Sequence, residues 1–287
     1  MEVCGRIRRI YHKERMFEIK GKQRLEYYFL SRSLIKKFNA YLCEGLFVHF
    51  TCKEQKVLHG GMKAYEVISF TKMVQTKHRS SVIYFDMNTI KEALKKVLNR
   101  DGNKMFLDME FTMPPREFSR GTPFTNEIIQ YGLVIEDENG QVLDEDCSLV
   151  KPMYHSGINE RTFDFIGITE NDMKIAISYK KFYLKMKAYL ELYDPTIYVW
   201  GKNDILVLNA SYQLHRLKPL AEREKFINLM QLMKNYLGQK SDIGLFNALS
   251  YFGEEVGYLQ THNPLDDARV TRMVFHTFKN CVNIKVR

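Results

Sequence analysis

Along residues 1–75, apolar and polar positions alternate in short stretches set off by turn residues. GRIRRIY, MFEIKG, EYYFLSRS, LFVHFTC and AYEVISF read as five strands. Five short strands in about 70 residues suggest a small all-β barrel, and helical spacing is poor throughout. Residues 76–87, TKHRSSVIYFDM, read as a linker. In NTIKEALKKVLNR, Ile90, Ala93, Leu94, Val97 and Leu98 then recur at helical spacing, with Asn88 placed to cap the start and Gly102 just past the end.

From residue 105 the pattern changes. KMFLDMEF and EIIQYGLVIED are strands, and ENGQ (138–141) is a hairpin turn into VLDEDCSLV. TEND (169–172) has the form of a capping box, so a helix carrying Ile175, Ala176, Phe182, Met186 and Leu190 is expected from there. TIYVWG (196–201) is a nearly continuous apolar run and reads as a buried strand. Helical stretches follow at 203–216, 222–237 and 243–252, and a last one begins near 264. Strands first, then strands alternating with helices, imply an α/β domain with a mixed sheet. The expected organisation is a barrel over 1–75, a linker and connecting helix over 76–104, and the α/β domain over 105–287.

Apolar residues make up 45% of the 287, enough for a sizeable core. No apolar run approaches the roughly 18 residues that span a bilayer, and no secretory signal is evident. The five cysteines are scattered and form no Cys-x-x-Cys pair, which fits reduced thiols in a cytoplasm. The net charge of +9 is unevenly spread. Residues 1–104 hold 22 Lys/Arg against 10 Asp/Glu, while residues 105–287 hold 21 against 24. A basic unit suits a polyanion and an acidic one can gather carboxylates around metal; a basic surface can also serve solubility alone.

Three places carry candidate chemistry. Asp108 and Glu110 sit two apart on a strand, so both project from one face while Leu107 and Met109 point the other way. Two adjacent anions repel, and a hard cation is their natural partner. A solvated strand face would also permit the pair. Asp204 follows a core strand and Gly201, at the strand end where open α/β sheets bind ligands; a first-turn Asp favoured by the helix dipole is the plainer alternative. In THNPLDDARVTRMVF (261–275), Pro264 suits the first helical position with Asn263 as cap. Asp266 and Asp267 then lie in the first turn, with His262 just ahead. Dipole compensation explains one Asp well and the histidine not at all.

Taken together, LDMEFTMP, WGKNDILVL and HNPLDDA resemble the DEDDh 3′-to-5′ exonucleases, in the right order over residues 105–280. They look closest to the branch holding the ERI-type exoribonucleases and KapD, and FDFIGITENDM (163–173) is similar to that branch as well. The resemblance implies a ribonuclease H-like domain in which Asp108, Glu110, Asp204 and Asp267 hold two divalent cations, Mg²⁺ or Mn²⁺, about 3.5–4 Å apart. It implies that Asp108 bridges the ions and that His262 is the general base on the attacking water. It further implies that Phe111, Thr112 and Met113 contact the terminal nucleotide, through backbone groups and an apolar side chain, although Phe111 and Met113 could simply pack. Trp200 is expected as a core residue under the site rather than a base platform.

The rhythm of residues 3–73 resembles a cold-shock-type OB barrel, which binds single strands by stacking bases on exposed aromatics. Phe29 remains where such a platform would lie, but the neighbouring positions read as Ser31 and Arg32, and the first-strand Trp position reads as Arg9. The platform is expected to be largely stripped, with Arg9 and Arg32 taking up stacking and phosphate contacts. The expected activity is a metal-dependent 3′-to-5′ exoribonuclease on single-stranded RNA, releasing nucleoside 5′-monophosphates. Single-stranded DNA or very short oligonucleotides are the alternative substrates, and a non-catalytic nucleic-acid-binding protein is the alternative of another class.

Overall fold

In the computed structural model, which describes residues 1–21, 24–77, 80–117, 124–154, 157–239, 241–254 and 262–284, the five expected N-terminal strands form. They are β1 (Glu2–Tyr11), β2 (Met16–Lys20), β3 (Leu25–Leu30), β4 (Phe47–His59) and β5 (Met62–Lys77). The first four pair antiparallel through β1–β2, β2–β3 and β1–β4, β4 pairs with β5, and a parallel β3–β5 ladder closes the barrel. Ile7, Phe17, Ile19, Tyr28, Leu30, Val48 and Phe50 fill it. Besides β4, β5 is long enough for two more partners: Tyr65–Val67 pair with β3, and Lys72–Lys77 pair with a sixth strand, β6 (Ser80–Asp86).

That sixth strand corrects the expected linker over 76–87, of which His78 and Arg79 lie outside the described residues. A second correction is the helix α1 (Arg32–Phe38), which the strand reading missed. Ser31 accepts a hydrogen bond from Leu34 N and caps it, and Phe38 reaches the barrel core. The next helix, α2 (Met87–Leu98), is where the periodicity predicts it. Its cap is Asp86 rather than Asn88, since the Asp86 carboxylate accepts from Asn88 N and Thr89 N.

By contacts the chain divides into two units, Met1–Leu94 with Asn235–Ser241, and Lys95–Lys234 with Asp242–Arg287. The second unit is built on β7 (Lys104–Phe111), β8 (Ile128–Glu136), β9 (Val142–Lys151), β10 (Ile177–Ser178), β11 (Thr196–Val199) and β12 (Phe226–Asn228), in the order β10-β9-β8-β7-β11-β12. β7, β8 and β9 are antiparallel neighbours, and β11 and β12 join parallel. Strands two residues in phase make the sheet two-sided. Met105, Leu107 and Met109 face a core with Phe182, Met186, Ile205 and Leu208 from α4 (Tyr179–Tyr193) and α5 (Asn203–Leu214). Phe106 faces the opposite way, against Phe275 of the last helix.

Three helix expectations shift. The Thr169–Asp172 box forms, with Asp172 Oδ2 accepting from Thr169 N at 2.7 Å, but it opens a single 3₁₀ turn. β10 then intervenes, Ile175 is left 81% exposed, and the long helix α4 starts from its own cap, Ser178. Between these regions lies a short helix, α3 (Glu160–Ile166), capped by Asn159. The stretch 222–237 is not one helix. A 3₁₀ turn and β12 come first, and α6 (Leu229–Leu237) only then. Residues 243–252 form the four-residue α7 (Leu245–Ala248) and a 3₁₀ turn. The closing helix α8 (Pro264–Asn283) begins as expected, with Asn263 Oδ1 accepting from Leu265 N and Asp266 N. No described helix is long and apolar enough to cross a membrane.

Candidate active site

The site grows from one edge of packing. β7 and α8 run past each other so that Phe106 meets Phe275, with ring centroids 5.4 Å apart. Residues 106, 108 and 110 share that strand face. Asp108 and Glu110 therefore come up against the start of α8, where Asp267 and His262 stand. Glu110, His262 and Asp267 each offer a ligand atom within 4.8 Å of the others, and His262 Nδ1 lies 3.7 Å from Glu110 Oε1.

Such closeness needs a gap in the sheet, and Gly132 supplies it. It pairs with Asp108 across β7–β8. A Cβ there would stand 2.1 Å from Leu265 N and 2.3 Å from the Pro264 carbonyl carbon. The first turn of α8 thus lies on bare backbone. The sequence reading overlooked Gly132; its signal was an isolated glycine inside a strand pattern, which marks a close approach of backbone.

Asp204 arrives from β11. That strand pairs with β7 only as far as Phe106, and among the described residues no strand pairs with the β7 edge beyond it on that side. Asp204, in the first turn of α5, fills the place: its Oδ1 accepts from Met109 N at 3.1 Å. Asp108, Glu110, Asp204, His262 and Asp267 all line one cleft of about 490 Å³. All five expected residues are brought together, whereas Asp266 turns aside to pair with Arg269 at 3.1 Å.

The electrostatics of this cleft are unfavourable by themselves. Burial, then repulsion from Asp204, Asp267 and Glu110, holds the Asp108 carboxyl well above the usual range. Burial and the charges of Asp267 and Asp204 push Glu110 up to about 8. Burial raises Asp204 to about 7, against the lowering effect of backbone hydrogen bonds. Among the described residues no Lys or Arg ion-pairs with Asp108, Glu110 or Asp204. A cluster of carboxylate oxygens with one imidazole fits hard divalent ions such as Mg²⁺ or Mn²⁺.

The walls are specific too. Phe111, Thr112 and Met113 line the cleft, but not all as expected. Thr112 N donates to Glu127 O, and Met113 N donates to Thr162 Oγ1. Those amides are occupied by the fold, so the side chains of Phe111 and Met113, both half-buried, are what this stretch presents. Trp200 is half-buried at the cleft, and its indole N–H holds Ile243 O at 2.9 Å. Lys234 pairs with Asp242 at 2.6 Å. These two tethers, neither foreseen from sequence, fix the wall segment 242–245.

On the barrel, the expected loss of the aromatic platform is overturned. A bulge in β1 between Ile7 and Arg9 shifts the strand's phase, so that Ile10 turns toward the core and Arg9 and Tyr11 turn away from it. Arg9, Glu18 and Tyr27 form one cross-strand row, and Tyr11, Met16 and Phe29 the next. Phe29 stacks on His59 at 4.1 Å, Tyr11 lies 6.3 Å from Tyr27, and the Arg9 guanidinium sits 5.5 Å over Tyr11. Arg32 is exposed at the first position of α1. Aromatics thus persist on this face, at positions that alignment by eye to a cold-shock strand did not reveal.

Known proteins agree with this architecture. KapD of Bacillus subtilis, named a probable 3′-5′ exonuclease, is 28% identical over 173 residues, covering 60% of this chain and 82% of that one. A PolC-type DNA polymerase III of Thermotoga maritima is 27% identical over 183 residues, covering 63% of this chain and 13% of that much longer one. Among solved structures, the nuclease domain of 3′hExo, a DEDDh family member bound to rAMP, superposes with a TM-score of 0.53 at 19% identity, over 65% of this chain and 96% of that one. Cell-death related nuclease 4 gives 0.53 at 16% identity, over 63% and 64%. Residues 105–275, which carry every carboxylate of the cleft, match the exonuclease family RNase_T, and the chain belongs to that family.

Proposed function

We propose that the protein is a metal-dependent 3′-to-5′ exoribonuclease that trims single-stranded RNA. The observation that carries this reading is the convergence of Asp108, Glu110, Asp204, Asp267 and His262 on one cleft. Asp108, Glu110, Asp204 and Asp267 would hold two divalent ions, which supply Lewis-acid polarisation of a phosphodiester and a water made more acidic. His262 would accept the proton of the attacking water. Phe111 and Met113 give an apolar surface for the terminal nucleotide. The product is a nucleoside 5′-monophosphate.

Direction of attack is supported by the name of the KapD relative and by the DEDDh neighbours. The preference for RNA is supported by two structural neighbours, one bound to rAMP and one, a 3′-exonuclease, described as recognising the 3′ end of a histone mRNA stem-loop. The barrel face bearing Arg9, Tyr11, Tyr27, Phe29 and His59 suits a single strand, because aromatic stacking tolerates any base and arginine takes phosphate. In this reading residues 1–86 are a strand-holding module, and a cytoplasmic setting is consistent with the free cysteines.

The test is direct. Purified protein with Mg²⁺ or Mn²⁺ should shorten a 5′-labelled single-stranded RNA one nucleotide at a time, and EDTA should stop it. Matched RNA and DNA oligomers, single-stranded and duplex, should be digested side by side. Equal rates on RNA and DNA would remove the substrate assignment, and no cleavage of any of them would remove the enzymatic one.

A further inference from the structure

Phe165 on α3 is 39% exposed, high for a phenylalanine, and it lines the cleft. Its ring centroid lies 4.3 Å from that of His262, with the planes 33° apart. The helix that carries it is fastened independently of His262. Thr162 is fully buried and accepts from Met113 N at 2.9 Å, and Asn159 Nδ2 donates to Met113 O at 2.7 Å. Residues three apart on a helix share a face. The Thr162 clamp therefore turns Phe165 toward the cleft.

Among the described residues, Glu110, Asp267 and Phe165 are the groups that crowd His262. It precedes the α8 cap by one residue, its φ is 53°, and its side chain is 37% exposed. Glu110 Oε1 lies on one side of the ring at 3.7 Å, and Phe165 lies against its face. We infer that Phe165 is a positioning residue for His262, a fixed aromatic wall that holds the imidazole in the orientation needed to take a proton from water. This rests on the reading of His262 as the base. The Phe165 ring stands in the cleft beside His262, and a general base delivers its full effect only when held close to the working geometry.

The experiment compares wild type, Phe165→Ala, Phe165→Tyr, His262→Ala and the Phe165→Ala/His262→Ala double variant on a short 5′-labelled oligoribonucleotide with Mg²⁺. Phe165→Ala should lower kcat by about 10- to 100-fold, with KM within about threefold. Phe165→Tyr keeps the ring and should restore most of kcat. In the His262→Ala background, Phe165→Ala should change kcat by less than about twofold, because its route of action is already gone. Equal losses in both backgrounds, or a loss in KM that varies with the terminal base, would overturn the inference and make Phe165 a base platform instead.

A second readout needs no turnover. The His262 ring-proton resonances should carry an upfield shift from the Phe165 ring and lose it in Phe165→Ala, with the unfolding midpoint nearly unchanged. Unmoved resonances would overturn the inference, and an inactive wild type with the ring-current shift present would instead refute the function reading alone.

Discussion

Replacing Gly132 by alanine tests the geometry of the site with one methyl group. The new Cβ would stand 2.1 Å from Leu265 N, 2.3 Å from the Pro264 carbonyl carbon and 2.5 Å from Leu265 Cα. These are backbone atoms and cannot swing aside as a side chain would. Reaching an ordinary contact of 3.4 Å requires β8 and the first turn of α8 to part by about 1.3 Å. The rest of α8 is held by buried Val274, Phe275 and Phe278, so the strain should concentrate at its N-terminal turn. Overpacking of this kind costs roughly 1–3 kcal/mol. Asp267 lies two residues beyond Leu265, so it moves with that turn, and His262 precedes it by three. A displacement near 1 Å in a catalytic constellation costs about 100-fold in rate. The assay pairs urea unfolding, with and without Mg²⁺, with initial rates on a short RNA. The expected result is a folded protein, modestly destabilised, whose rate falls about 100-fold and whose stabilisation by Mg²⁺ shrinks. A variant within about 0.5 kcal/mol of wild type and within about twofold in rate would refute the claim that this close approach builds the site.

Three further outcomes follow from the same structure. Asp108→Asn should abolish cleavage while raising the stability of metal-free protein above about pH 8, where it removes a buried carboxylate repelled by its neighbours; a destabilised metal-free variant there would contradict the electrostatic picture. Unfolded carboxylates titrate near pH 4, whereas Asp204 and Glu110 are held at about 7 and about 8 in the fold. Their contribution to metal-free stability is therefore whole below about pH 4 and lost as the pH rises through 7 to 8, by on the order of a few kcal/mol. Millimolar Mg²⁺ should offset that loss at the alkaline end, and thermal melts of EDTA-treated protein that are flat across this range, relative to a Glu110→Gln control, would count against it. On the barrel, Tyr27→Ala with Phe29→Ala should raise KM on long single strands several-fold while leaving turnover of a dinucleotide within about twofold; an unchanged KM would leave the barrel as a docking module.

How much of this was legible beforehand differs by element. Strands β7, β8 and β11 and the start of α8 were readable because their signals are local. An i, i+2 pair declares its own shared face, and Asn263-Pro264 declares a helix start. The Thr169–Asp172 box was equally local, and it formed, but a capping box only permits a helix. Strand pairing of Ile177 with Val150 cut it short. The bulge in β1 could not be read, because a register shift depends on the strand opposite. It puts Arg9 and Tyr11 outward and Ile10 against the core, and so adds Tyr11 to a face where Phe29 was the aromatic expected to remain.

Sequence alone determined the kinds of groups available and their order: two carboxylates on one strand, a third after a core strand, a histidine and a fourth at a helix cap. Tertiary structure decided that they meet, because the meeting rests on contacts between residues far apart in the chain. The Phe106–Phe275 packing sets α8 along β7, the bare backbone of Gly132 lets its first turn descend, and the short reach of β11 leaves Met109 N for Asp204. Local propensity encodes the first set of facts. The second exists only once two sides of a sheet have been packed.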